Sequence, residues 1–244
     1  MAFLGGLALG VIVVSGSLRD DGEATPLSAD STTLDQPPPD ANDPGGACSS
    51  ATSVTFSAED ADPSKFAGGD FACVDFSEAM LSQADFSRAN LVRASFRRAF
   101  LRNAVFVAAD LREADLREAN LAGANFTRAD LRGAQFPCGG LATDDPPPNF
   151  TSADMSGFEA GECVLIGGGS LDRADFSSAQ LQDVSIVFET IDGADFTNAN
   201  LRGARFLDRH GEPMMPEGVT WFNTICPDGV RSSANGCEDH LLQD

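Results

Sequence analysis

Residues 84–136 read ADFSRANLVRASFRRAFLRNAVFVAADLREADLREANLAGANFTRADLRGAQF. Every fifth residue is large and apolar: Phe86, Leu91, Phe96, Leu101, Phe106, Leu111, Leu116, Leu121, Phe126, Leu131 and Phe136. Two positions before each of them stands alanine, from Ala84 and Ala89 through to Ala129 and Ala134. Asp or Asn often comes just before the large residue, as in Asp85, Asn90, Asp110, Asp115, Asn120, Asn125 and Asp130. The frame extends back through Leu81, Phe76 and Phe71 to Phe66 and forward to Leu141. A period of five fits neither the 3.6 of a helix nor the 2.0 of a flat strand. It needs a chain that turns a corner every five residues, with one large and one small side chain pointing inward from each side.

The identity of the large residue gives the number of sides. At a spacing of twenty, Phe66, Phe86, Phe106 and Phe126 form one column, and Leu81, Leu101, Leu121 and Leu141 another. Between them run Phe71, Leu91, Leu111, Leu131 and Phe76, Phe96, Leu116, Phe136. Like recurring on like at twenty implies four sides per coil, with coils stacked at the strand spacing of about 4.8 Å. The small residues follow from the large ones, because four large side chains per coil already fill the cross-section. Asp and Asn suit tight corners, where their side chains bond nearby backbone.

A second block repeats this order. Leu171 pairs with Ile191, Phe176 with Phe196, Leu181 with Leu201, and Ile186 with Phe206. Between the blocks the frame breaks at a proline-rich insertion, residues 142–149, which is expected not to pair as strand. Phe150 and Met155 resume in a shifted phase, and the glycines at 167–169 permit a second shift before Leu171.

Units of the form Ala-Asp/Asn-Leu/Phe-x-x resemble those of the pentapeptide-repeat family, over roughly residues 64–206. The resemblance implies an all-β fold, a right-handed quadrilateral β-helix, here of about six coils with one Pro-rich loop insertion. The segment from Trp221 through Cys237 resembles a C-terminal tail of exported members. Open solenoid ends need caps, so the Trp221 segment is expected to cap one end and residues 48–65 the other. The expected organisation is an apolar leader at 1–17, a disordered acidic linker at 18–62, the β-helix at 63–207 (inserted loop 142–149, irregular to 170) and a cap or tail at 208–244.

Composition agrees with a packed axis: 18 Phe, one Trp and no Tyr place ring volume inside with no hydroxyl to satisfy. The net charge of −21 divides as −9 over residues 19–62, +1 over 63–136 and −13 over 137–244. That acidity favours solubility and opposes contact with nucleic-acid phosphates. Proximity pairs the six cysteines as Cys48 with Cys73, Cys138 with Cys163 and Cys226 with Cys237, one of fifteen possible connectivities. Buried free thiols in a reducing compartment are the alternative.

Residues 2–14, AFLGGLALGVIVV, match the length of a signal-peptide core and fall short of the roughly 20 residues that span a bilayer. No Lys or Arg precedes them, so a start farther upstream, an unusual export signal and a short membrane anchor all stay open. The linker that follows is rich in Asp, Ser, Thr and Pro and holds little to bury beyond Leu27 and Leu34.

No phosphate-binding, catalytic or metal-binding constellation is evident, and no cofactor is expected. His210 and His240 read as solvated surface residues, and the aspartates stand singly rather than in a calcium loop. Outward arginines such as Arg88, Arg93, Arg97, Arg98, Arg102, Arg112, Arg117, Arg128 and Arg132 lie near Glu113 and Glu118, giving a salt-bridged face or a modest anion-binding patch. The expected function is a non-enzymatic exported or surface-tethered scaffold. It would meet an unidentified protein through its outer faces, with no nucleic acid or small-molecule substrate. The alternative is a cytosolic regulator of a type II topoisomerase, because some members of the family imitate duplex DNA and inhibit gyrase. The +1 of the longest regular block makes a poor imitation.

Overall fold

The computed structural model of the chain describes residues 13–15, 48, 53–55, 63–137, 146–160, 165–167, 169–214, 216–232 and 236–237. From Pro63–Phe66, a short 3-10 turn, the backbone winds into a right-handed quadrilateral β-helix. In the regular coils, residue n pairs in parallel with n+20: Asp70 with Asn90, Asp75 with Ser95, Met80 with Phe100, Asp85 with Val105. Each amide of a large residue donates to the next coil, as Phe86 N does to Val105 O at 2.7 Å and Leu91 N to Asp110 O at 2.7 Å. Starting a coil at each member of the Phe66 column, the first runs over residues 66–85 and the second over 86–105.

Both inward positions are sealed. Phe76, Phe86, Phe96, Phe106, Leu101 and Leu111 are 0% exposed, and so are Ala94, Ala104 and Ala114. Phe86 stacks on Phe106 at 5.2 Å and Phe106 on Phe126 at 4.9 Å, with planes 3° and 2° apart. Across the axis, Phe96 meets Phe86 and Phe106 edge-on at 5.6 and 5.7 Å. Both geometries are favoured by the ring quadrupole, each contributing about 0.5–1.5 kcal/mol beyond burial.

The corners carry a feature the periodicity conceals. After most large residues, though not after Ile186 or Phe206, come two turn residues, closed by a bond such as Ala79 N to Phe76 O at 3.1 Å. The second turn residue has positive φ, as in Glu78 (62°), Arg98 (60°), Ala108 (56°) and Gly203 (74°). This is the type II pattern, which favours glycine there. Asp and Asn sit one residue before the large side chain, on the ladder itself, and cap the turn from there. Asp75 Oδ1 accepts from Ser77 N at 2.9 Å, and Asn125 Oδ1 from Thr127 N at 3.0 Å. Left-handed conformation costs an L-residue about 1–2 kcal/mol. Ala108→Gly, partly offset by greater chain entropy when unfolded, should therefore raise stability by up to about 1 kcal/mol. Gly203→Ala should lower it, because an added Cβ would also overlap Asp183 Oδ1. Denaturant titration of both variants measures the pair.

The interruption is smaller than its sequence suggests. Asn149 pairs in parallel with Asn125, Gly123 N donates to Pro146 O, and Phe150 follows Phe126 with a spacing of twenty-four. Pro146 through Asn149, expected in a projecting loop, thus lie in the wall. Proline is tolerated there because Pro146 and Pro148 need only offer carbonyl and ring. The second shift also falls elsewhere than expected. Ala160 aligns with Leu181 but Ile166 with Ile186, so the extra residue precedes β3 (Leu165–Gly167) rather than lying among the glycines. Gly169 is needed instead for close approach, since a Cβ there would strike the Pro148 carbonyl. β3 pairs in parallel with β4 (Ser185–Val187), and β4 with β5 (Arg205–Leu207).

Beyond Phe206 the columns continue at a spacing of twenty-five. Asp195 pairs with Thr220 and Asn200 with Ile225, after an excursion closed by Leu207 and Pro213. Trp221 stacks on Phe196 at 5.2 Å, and Cys226 lies fully buried beyond Leu201. The Trp221 segment is thus a coil member as well as a cap. At the far N-terminus, β1 (Val13–Ser15) pairs antiparallel with β2 (Ser53–Thr55). β2 departs from the disordered linker expected there, and its Ser-Val-Thr sequence has the β-branched residues that favour strand. The rest of the leader and linker readings lie outside the described residues.

Candidate interaction surface

A sealed axis leaves the outside to do any work. Each side of the rod offers a ladder of outward side chains, one per coil, between two rows of corner residues. One ladder runs Asp70, Asn90, Asp110, Asp130, Asp154, Asp175, Asp195. Backbone pairing sets carboxylates one rung apart, and arginines from the next corner relieve part of the repulsion. Arg112 Nη2 lies 2.7 Å from Asp110 Oδ2 and Arg132 Nη2 2.5 Å from Asp130 Oδ2, while Arg132 Nε is 3.4 Å from Asp154.

Other corners form pairs between coils. Arg98 meets Glu78 at 2.7 Å, Arg93 meets Glu113 at 2.7 Å, and Arg97 meets Glu118 at 2.8 Å. The salt-bridged face anticipated from Glu113 and Glu118 is therefore present. Exposed pairs of this kind contribute at most about 1 kcal/mol each.

These arginines also set local acidity. The hydrogen bond from Arg117 holds the Asp115 carboxyl below its ordinary value. For Asp130, burial pushes upward, but the bonds and charge of Arg132 outweigh it and the net shift is downward. A depressed carboxylate stabilises the fold above its unfolded value, near pH 4, and that contribution is lost as pH falls through the folded value. Asp130→Asn keeps a side-chain oxygen for the turn, as Asn125 does, but gives up the charge. It should melt below wild type at pH 7 by under about 1 kcal/mol and match wild type near pH 2. Melting curves across that range read the convergence.

A different side carries apolar residues. Met80 and Phe100 pair as neighbouring rungs and are 41% and 46% exposed. Arg97, Arg98 and Arg102 surround Phe100 in sequence. No sequence reading singled this pair out, although both stand at the position before the large residue, where Asp or Asn is common.

The core ladder residues Phe66, Phe86, Phe106, Phe126, Leu81, Leu101, Leu121, Phe176, Phe196, Leu181 and Leu201 are all at most 5% exposed, while Leu141 lies outside the described residues. Disulfides join Cys48 to Cys73 and Cys226 to Cys237. The Cys138–Cys163 pairing lies outside the described residues, as does His240, and His210 is exposed on the excursion after Phe206. Among the described residues no group of His, Cys, Asp or Glu is arranged to hold a metal ion, and no helix is long and apolar enough to cross a membrane.

The sequence model described as pentapeptide repeats matches residues 70–106 and 104–137, in eight copies. A comparison with curated proteins found no match. Among solved structures, a pentapeptide repeat protein of the Arabidopsis thaliana thylakoid lumen is 30% identical, covering 56% of this chain and 71% of that one, with a TM-score of 0.31. HetL from the cyanobacterium Nostoc, involved in heterocyst differentiation regulation, is 24% identical over 67% of this chain and 78% of its own, with a TM-score of 0.37. QnrB1, a plasmid-mediated fluoroquinolone resistance protein, is 22% identical over 66% and 87%, with a TM-score of 0.35.

Proposed function

The chain belongs to the pentapeptide-repeat family, and from that premise we propose a non-enzymatic scaffold, exported or tethered at the cell surface, that engages a protein partner through its outer faces. The observation that carries the reading is the disulfide at each end of the rod. Cys48–Cys73 closes onto the first coil and Cys226–Cys237 onto the last. Disulfides persist in oxidising compartments and are rare where glutathione keeps thiols reduced. The apolar run at 2–14 supports the same compartment.

A non-enzymatic role is supported by the filled axis, where Phe and Leu side chains at 0% exposure occupy the space a substrate would need. The mixed charge of the first coils supports contact with protein. Arginine bonded to carboxylate at Arg93, Arg97, Arg98, Arg112, Arg117 and Arg132 differs from the uniform negative charge of a duplex.

N-terminal sequencing together with thiol counting, on protein isolated from its source without reductant, tests the proposal. Expected are no thiol reactive after denaturation, and either a start beyond the leader or recovery in the membrane fraction. Soluble protein with the leader intact and all six thiols free would overturn it.

A further inference from the structure

We propose that the side bearing Met80 and Phe100 is an interface between two copies of this chain, packed antiparallel about a two-fold axis midway between the first and second coils. The inference stands whether or not the chain is exported, because it rests on the pattern of one face.

Met80 and Phe100 are two of the four large apolar residues exposed among the described residues. The ladder bridge between Met80 and Phe100 sets them on adjacent rungs of one side, about 4.8 Å apart. Elsewhere this ladder position commonly holds Asp or Asn, which caps the following turn. Met and Phe give up that cap and set apolar surface in water. Methionine, aromatic residues and arginine are the types enriched at the centres of protein interfaces.

The charges along the same side point to a second copy as the occupant. Glu78 belongs to the first coil and Arg98 to the second, on the corner beside this ladder, and they already bond at 2.7 Å with both side chains more than half exposed. A two-fold axis lying in the face and perpendicular to the rod brings the first coil of one copy opposite the second coil of the other. Met80 then meets the partner's Phe100, and Glu78 meets the partner's Arg98. Each occurs twice, so the two intrachain pairs join into one four-residue network. On the other corner Arg102 comes opposite the partner's Ser82, with the partner's Gln83 beside it, both neutral acceptors. The patch is thus self-complementary, which an isologous dimer requires. A parallel two-fold would instead set Arg102 against the partner's Arg97 and Arg98, bringing like charges together.

Few residues take part, so the contact belongs to the small, weak class of interfaces. Sedimentation equilibrium of the full chain, up to roughly 0.5 mM because small interfaces are weak, should show mass rising from 25.5 kDa toward twice that value. Phe100→Asp should hold it at the monomer mass. Aspartate holds the position before the large residue on other sides of the rod, as at Asp70, Asp110 and Asp130, so the fold is expected to survive, and an unchanged melting curve verifies that. Benzoylphenylalanine at position 100 reports the arrangement, with its photo-adduct expected on residues 78–82 of the other copy. Monomer mass throughout would overturn the proposal. Association unaffected by Phe100→Asp, such as association through the leader, would do the same. So would an adduct on position 100 itself or on a foreign acidic protein.

Discussion

Phe106→Ala is expected to lower the unfolding free energy by about 3–5 kcal/mol, the range for a buried ring cut back to a methyl group. Phe106 stacks on Phe86 below and Phe126 above and meets Phe96 edge-on. Rings pinned on three sides cannot collapse into the void, so the loss belongs in the upper part of that range. Phe66→Ala, in the first coil of the same column, removes a ring stacked on Phe86 and edge-on to Phe71 and Phe76, and should fall in the same range. In a solenoid each coil leans on its neighbours alone. A deletion in a central coil should therefore also broaden the urea transition, by uncoupling the coils on either side.

Replacing both Cys226 and Cys237 by alanine has the second-largest expected effect, about 2–3 kcal/mol for a loop of this size. The bond spans 11 residues and ties the segment that covers Trp221. Gly236 packs so closely there that a Cβ would overlap the indole. Ser232 N donates to Thr224 O at 2.6 Å, and the Ser232 hydroxyl donates to the Trp221 carbonyl. Trp221 is the single tryptophan of the chain and 6% exposed, so its emission reports the last coil alone. Without the disulfide, emission should shift to the red at a lower urea concentration than the circular-dichroism transition of the whole rod. In the native protein the two curves should coincide. Reductant added to the native protein, although it also opens Cys48–Cys73, should reproduce the early emission shift, because Trp221 reports the last coil.

The rod was legible because its inward side chains obey one rule over many units. Phe86, Phe106 and Phe126 are alike for a physical reason, ring stacked on ring, and that reason leaves its mark at twenty residues. The outward side chains obey no such rule. Arg98, Glu78 and Ala108 share a left-handed backbone, yet nothing in their types announces it, since the turn constrains φ and leaves the side chain in solvent. Pro146 through Asn149 misled because prolines argue against a strand, while a β-helix coil asks of them only an acceptor carbonyl at the right height. Pro216, Trp221 and Cys226 kept the five-residue frame past Phe206, and that phase was the available signal. It was obscured because the residues are neither Phe nor Leu and five extra residues precede them. The Met80–Phe100 face was hidden for a different reason: apolar residues at a polar position look like noise until backbone pairing sets one above the other.

The four-sided coil is tested most directly by dipolar coupling between spin labels on the outward ladder. Labels at positions 85 and 105, which pair in parallel across one rung, should broaden each other strongly at about 5 Å. Labels at 85 and 95, half a coil apart on opposite sides, should show none of that broadening. Strong coupling at 85 and 100 with none at 85 and 105 would mean a three-sided coil. It would contradict the stacked Phe columns and every surface assignment built on them.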